Sequence, residues 1–129
     1  MTRAVLDTSV LIAREQERPL QQRLPDEIAV SVVSLAELEL GVLMAADPSA
    51  RARRLRTLTE VRSTAAALPI DGRTASAYAE LAAASLAAGR KPRVHDTWIA
   101  ASARTNGAAV WTQDADFTDF AGLVSVVRV

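Results

Sequence analysis

Short apolar runs recur along this chain, and each is followed by a stretch whose apolar residues return at helical spacing. "RAVLD" precedes "TSVLIAREQ", and "IAVSVV" precedes "SLAELELGVLMAA". "AAVWT" and "LVSVVRV" follow the helical "DTWIAASARTNG" and read as closing strands around a "QDADFTDF" loop. Strands that alternate with helices predict a parallel sheet, because parallel neighbours need long crossovers and those crossovers are helical. Such a sheet is covered on both faces, so the chain reads as an α/β protein.

The remaining segments fit that frame. The pattern predicts that Asp47 and Pro48 end the "SLAELELGVLMAA" helix, that a basic helix runs from about Ser49 to Ala66, and that "LPID" is a short extended link. "GRTASAYAELAAASLAAG" reads as an alanine-rich helix closed by Gly89, and an Asn-Gly pair stops the one after it. With 129 residues and no linker, repeat or low-complexity stretch, a single domain over residues 1–129 is expected. Aromatic residues are only 4% of the chain, so Leu, Val, Ile and Ala must build the core.

Composition removes several functions. With no cysteine there is no disulfide framework, thiolate nucleophile or cysteine-ligated metal. No apolar run approaches the roughly 18 residues of a membrane span and no secretory signal opens the chain, so a cytoplasmic protein is expected. Fifteen basic and fifteen acidic residues cancel, which leaves no overall field to attract nucleic acid. The basic residues are nonetheless clustered. "RARRLRTLTEVR" reads mainly as a solvated helix face, and "GRKPR" adds Arg90, Lys91 and Arg93 just before the "HD" pair.

The acids are what the fold alone does not explain. Asp7 interrupts "VLDTSVLI" at the carboxyl end of the first strand, the edge at which open parallel sheets bind ligands. Glu37 is expected in the first turn of the helix after the second strand, Asp96 at the start of the helix after "GRKPRVH", and Asp114 and Asp116 after the "AVWT" strand. Two carboxylates about 4 Å apart repel by roughly 4 kcal/mol at an effective dielectric near 20. A cluster with no basic residue among its acids must therefore take up protons or hold a cation, and oxygen-only ligands select a hard ion, Mg²⁺ or Mn²⁺.

Each acid also has a plain structural reading. Asp7 and Asp96 suit helix N-caps, Asp114 an Asx-turn, and Ser34 to Glu37 match the S-x-x-E capping box. Asp71 before "GRTASAYAE" is such a cap and carries no chemistry. Capping does not explain why Leu, Val, Ile and Trp crowd the other acids, since shielded charge without a partner is costly.

Taken in series, "VLDTSVLI", "SLAELELGV", "HDTWIAASA" and "WTQDADF" resemble the four acidic motifs of PIN-domain ribonucleases, particularly VapC-type toxins of bacterial toxin–antitoxin pairs. The resemblance covers essentially the whole chain. It implies a three-layer α/β/α sandwich with a short, mostly parallel central sheet. It also implies a Mg²⁺- or Mn²⁺-dependent endoribonuclease, usually a homodimer, held inactive by a cognate antitoxin. Carried over by position, Asp7 and Asp96 match the principal metal-binding acids, Glu37 the acid that completes the site, and Asp114 the fourth acidic position. Asp116 is assigned a supporting or substrate-side role, Thr8 and Thr112 are candidates to orient ligands or the attacking water by hydrogen bonds, and an RNA substrate makes Arg90, Lys91 and Arg93 candidates for contacts with its phosphates.

Rival chemistries lack their residues. A haloacid-dehalogenase-type phosphatase wants a second aspartate where this chain has Ser9, no P-loop motif is present, and the sole histidine, His95, cannot furnish an HD-type phosphohydrolase site or a serine triad with its elbow. A receiver-like phosphoacceptor lacks a placed lysine, since the only one is Lys91. The competing reading from another class is a non-catalytic PIN-like module that binds RNA or protein and keeps its acids as caps.

Overall fold

The computed structural model describes residues 3–129. Five strands form one sheet: β1 (Ala4–Leu6), β2 (Ile28–Ser31), β3 (Ala66–Leu68), β4 (Ala109–Thr112) and β5 (Val126–Arg128). Their order is β3-β2-β1-β4-β5, and every pairing is parallel, so the sheet is wholly rather than mostly parallel. Helices α1 (Thr8–Glu15), α2 (Val32–Leu43), α3 (Pro48–Thr64), α4 (Gly72–Ala87) and α5 (Val94–Thr105) make the crossovers, and a 3-10 helix spans Ala115–Phe120.

Strand side chains alternate between the two faces, and each face builds its own core. On one, Val5, Ala29 and Val110 pack with Ala77 and Leu81 of α4, Ile99 of α5 and Phe117 of the 3-10 helix. On the other, Leu6, Val30 and Trp111 pack with Val10 of α1, Leu38 of α2 and Leu58 of α3. Burial on both faces explains why the strands read as nearly continuous apolar runs. The result is the three-layer α/β/α arrangement.

Several local expectations need correction. Strand β2 stops at Ser31 and α2 begins at Val32, so the valine pair taken for strand is helical. The cap is Ser31, whose Oγ accepts from the Val33 amide at 3.1 Å. The proposed Ser34–Glu37 capping box is absent: Ser34 lies buried inside the first turn, and Glu37 is the sixth helical residue rather than a first-turn one. Asp47 does not end α2; it caps α3, accepting from the Ala50 amide at 2.8 Å, with Pro48 in the first turn where its missing N–H costs nothing. The basic helix ends at Thr64, and the chain then enters an edge strand, β3, which takes in the leucine of the "LPID" link.

Other features stand as read. Asp71 caps α4, accepting from the amide and hydroxyl of Thr74 at 3.0 and 2.9 Å. Gly89 follows α4 with φ 76°, a left-handed conformation that glycine adopts without steric cost. Most arginines of the basic helix are exposed, with Arg62 paired to Glu39 and Arg53 approaching Glu15, whereas Arg54 is half-buried and donates to the Gly41 carbonyl at 2.7 Å.

The topology fixes where ligands go. From β1 the chain proceeds outward through β2 and β3 on one side, then crosses to β4 and β5 on the other. The switch falls between β1 and β4, and the crevice there opens at the carboxyl ends of both strands. Leu6 is in register with Trp111, so Asp7 and Thr112 emerge next to each other.

Candidate active site

Asp7 follows β1 directly and its amide donates to the Trp111 carbonyl at 2.9 Å, extending the pairing of β1 with β4 by one residue. It stands at the N-cap position of α1, yet its side chain makes no capping bond. Instead Oδ2 accepts from Ser9 Oγ at 2.6 Å and from Thr112 Oγ1 at 2.9 Å. The capping explanation therefore fails at the acid that interrupts the first strand run. Asp7 is only 5% exposed, and neither hydroxyl donates to its other oxygen.

Thr112, the last residue of β4, is fully buried and ties two acid-bearing segments together. It donates to Asp7 while its oxygen accepts from the Asp114 amide at 2.9 Å. Asp114 closes the expected Asx-turn by accepting from the Asp116 amide at 2.8 Å, which starts the 3-10 helix. Here the structural reading holds, and the carboxylate also faces the site.

Glu37 reaches the same edge from α2. Its Oε1 accepts from Thr8 Oγ1 at 3.0 Å, and its Oε2 lies 3.8 Å from His95 Nδ1. Thr8 Oγ1 lies 3.1 Å from Ser34 Oγ as well, so that hydroxyl links the glutamate to the first turn of α2. Glu37 borders two depressions: one of about 390 Å³ lined by Arg93, Val94, His95 and Asp96, the other of about 340 Å³ running past Thr8, Ile12, Gln16 and Arg54.

Asp96 is the third residue of α5 rather than its first. Burial pushes its carboxyl up to about 6, opposed by the Arg93 guanidinium and reinforced by Asp7, Asp114 and Glu37. Those three carboxylates are thus close enough to disfavour its charge. Asp116 is exposed and enters the site from the 3-10 helix.

The expectation that no basic residue stands among the acids is wrong. Arg93, proposed as an RNA contact, puts its Nη1 2.6 Å from Asp96, 3.4 Å from Asp116 and 3.7 Å from Asp114. Its Nη2 donates to the Asp116 carbonyl, and its guanidinium carbon lies 5.8 and 6.0 Å from the ring centres of Phe117 and Phe120. Arg90 is turned to Asp119 at 3.6 Å, and Lys91 is exposed in the loop between.

Ser9 was missed as a site residue. In sequence it is a first-turn serine two residues from Asp7, to which its Oγ donates locally; the pairing of β1 with β4 brings that Oγ to the Gln113 amide, from which it accepts at 3.0 Å. Ser9→Ala should cost about 1–2 kcal/mol in urea unfolding, because Gln113 loses its acceptor and Asp7 a donor. RNA cleavage by that variant should fall about 10–100-fold, the usual effect of freeing a ligating carboxylate from its orienting partner.

A model of the PIN domain matches residues 4–123. The chain belongs to the PIN domain family. This PIN domain is 46% identical over 128 residues to Ribonuclease VapC5 of Mycobacterium tuberculosis, covering 97% of this chain and 94% of that protein. It is 43% identical over 116 residues to Ribonuclease VapC4 of the same organism, covering 89% and 88%. Among solved structures, the VapBC-5 toxin–antitoxin member from M. tuberculosis aligns with a TM-score of 0.86 at 42% identity, over 100% of this chain and 98% of that one. VapBC2 from Rickettsia felis, at 18% identity and a TM-score of 0.82 over 99% of each chain, shares the fold.

The donor set suits the divalent ion implied by the family. Carboxylate oxygens are hard donors, Asp7 is buried with one oxygen untouched by its two hydroxyl partners, and burial together with the acids around it raises the Asp96 carboxyl, a charge that a cation would relieve. Among the described residues, however, no three His, Asp or Glu side chains already stand together as a metal-holding group. Arg93 meets three of the carboxylates instead.

Proposed function

We propose that this PIN domain is a Mg²⁺- or Mn²⁺-dependent endoribonuclease and the toxin of a VapBC-type pair. The observation that carries the reading is the meeting of Asp7, Glu37, Asp96 and Asp114 from separate segments at the carboxyl edge of the sheet, in a chain 46% identical to a protein named as a ribonuclease. Asp7 and Asp96 would hold the ion, with Glu37 and Asp114 completing the site. When bound, a divalent ion there supplies acidity to a water molecule and positive charge to the phosphodiester oxygens.

The chain's own residues do the rest. Ser9 and Thr112 fix the Asp7 carboxylate, and Thr8 fixes Glu37. Lys91 and Arg90, exposed on the loop before α5, would meet the RNA backbone. Solved VapBC complexes support an antitoxin as partner. Leu40, Leu43 and Met44 on and just after α2, 59, 63 and 72% exposed, offer apolar surface for an antitoxin segment or a second copy of this chain. No helix among the described residues is long and apolar enough to cross a membrane.

The test is cleavage of total RNA by the wild-type protein and by Glu37→Gln, each with Mn²⁺ and with EDTA. Wild type should cut only with the metal. Glutamine keeps the acceptor for Thr8 and lies outside any capping box, so the apo variant should melt within a few degrees of wild type. Its cleavage should drop by about 10²-fold or more, beyond the loss expected from an orienting group alone. Undiminished cleavage in EDTA would overturn the metal-dependent reading, and a fully active Glu37→Gln protein would remove Glu37 from the catalytic set.

A further inference from the structure

Arg93 is attached to the site in two separable ways. Its Nη1 bonds Asp96 Oδ2 at 2.6 Å, while Nη2 is held by the Asp116 carbonyl and the guanidinium lies against Phe117 and Phe120. The second set of contacts belongs to the 3-10 helix, whose rings are buried, and it does not involve Asp96. Breaking the Asp96 bond would therefore leave the guanidinium anchored and still close to Asp114 and Asp116. Arg93 is only 32% exposed at its side chain, so its charge is poorly screened where it meets these acids.

We propose that Arg93 is a built-in counter-ion that occupies Asp96 in the metal-free protein and competes with the divalent cation for it, so that the chain's own arginine sets the cation affinity of the site. The proposal rests on the metal-site reading above. A charge-assisted bond to Asp96 must be given up before that carboxylate can ligate an ion, and its loss is subtracted from the binding free energy. On release the guanidinium remains on the 3-10 helix rather than moving to solvent. The same contact keeps Asp96 compensated while no ion is present, at a point where Asp7, Asp114 and Glu37 all oppose its charge.

The experiment is calorimetric titration of Mn²⁺ into the full metal-free chain, for wild type, Arg93→Gln, Arg93→Lys and Arg104→Gln, with circular dichroism checking that each is folded. Arg104 lies on the same helix, about 16 Å along it, paired with Glu80. Its removal deletes the same formal charge beyond a Debye length of about 8 Å. Arg93→Gln should bind Mn²⁺ about tenfold more tightly than wild type, equivalent to ~1.4 kcal/mol. Arg104→Gln should match wild type, and Arg93→Lys, with a single ammonium in place of the fork, should fall between them. Equal or weaker binding by folded Arg93→Gln overturns the proposal while leaving the metal site intact. If Arg93→Gln does not fold, Arg93→Lys decides in its place, tighter binding supporting the proposal and unchanged binding overturning it. Absence of Mn²⁺ binding by every variant overturns the metal-site reading and this proposal with it.

Discussion

Asp7→Asn is expected to reduce RNA cleavage by more than about 10²-fold while leaving the fold in place. The size comes from rank within the site: losing a group that merely orients a ligating carboxylate costs about 10–100-fold, so losing the carboxylate's charge must cost more. The fold should survive because asparagine has nearly the same shape, and its carbonyl oxygen can still accept from Ser9 and Thr112. Removing one charge from a set of mutually opposed acids relieves repulsion, so the apo variant should melt at or above the wild-type temperature. Cleavage assays run beside thermal melts check both halves. A variant that cuts RNA at the wild-type rate would exclude Asp7 from catalysis, and one that unfolds would make it a structural residue.

The largest effect on stability is expected at Phe117. It is the largest fully buried side chain, it packs in the core shared by α4, α5 and the sheet, and its ring lies 5.8 Å from that of Phe120. Truncation to alanine should cost about 3–5 kcal/mol in urea unfolding, combining lost transfer energy with the cavity left behind. That is a large share of the roughly 5–15 kcal/mol that holds a domain together. Phe117 also forms part of the surface on which the Arg93 guanidinium rests, so the damage should spread to the acid cluster. A loss below about 1 kcal/mol would mean that the 3-10 helix collapses onto the space and that its packing contributes little.

Legibility in the sequence tracked the range of the interactions concerned. The layered architecture was readable because burial on both faces leaves a direct trace, short apolar runs separated by helical periods. Asp7 stood out for the same reason, as a charge where the pattern demanded an apolar side chain. Strand β3 was hidden because two of its three residues are exposed alanine and the run merges with the helix before it. The start of α2 was misplaced because Val32 and Val33 favour strand in isolation and because Ser31 and Ser34 are both credible caps three residues apart. Only the observed cap separates them.

The site shows the same division. Glu37, Asp96 and Asp114 could be named from their motifs, but the contacts of Glu37 with Thr8 and of Asp114 with Arg93 depend on crossings between distant segments. Ser9 meets residues more than a hundred positions away, at Thr112 and Gln113. Arg93 reads as one of three basic loop residues, and its one local distinction from Arg90 and Lys91 is its i,i+3 spacing to Asp96. The fold of the 3-10 helix separates them, by presenting Asp114, the Asp116 carbonyl and two aromatic rings to Arg93 alone among the three.

On the reading proposed for this PIN domain, Asp7, Glu37, Asp96 and Asp114 form one cation site at the carboxyl edge of the sheet. Anomalous scattering from a crystal of this chain soaked in Mn²⁺ tests it most directly. A peak ligated by Asp7 and Asp96 is expected, with the Arg93 guanidinium withdrawn from Asp96 and still resting on Phe117 and Phe120. A peak confined to other carboxylates, or none at Asp7 and Asp96 at saturating Mn²⁺, would contradict it.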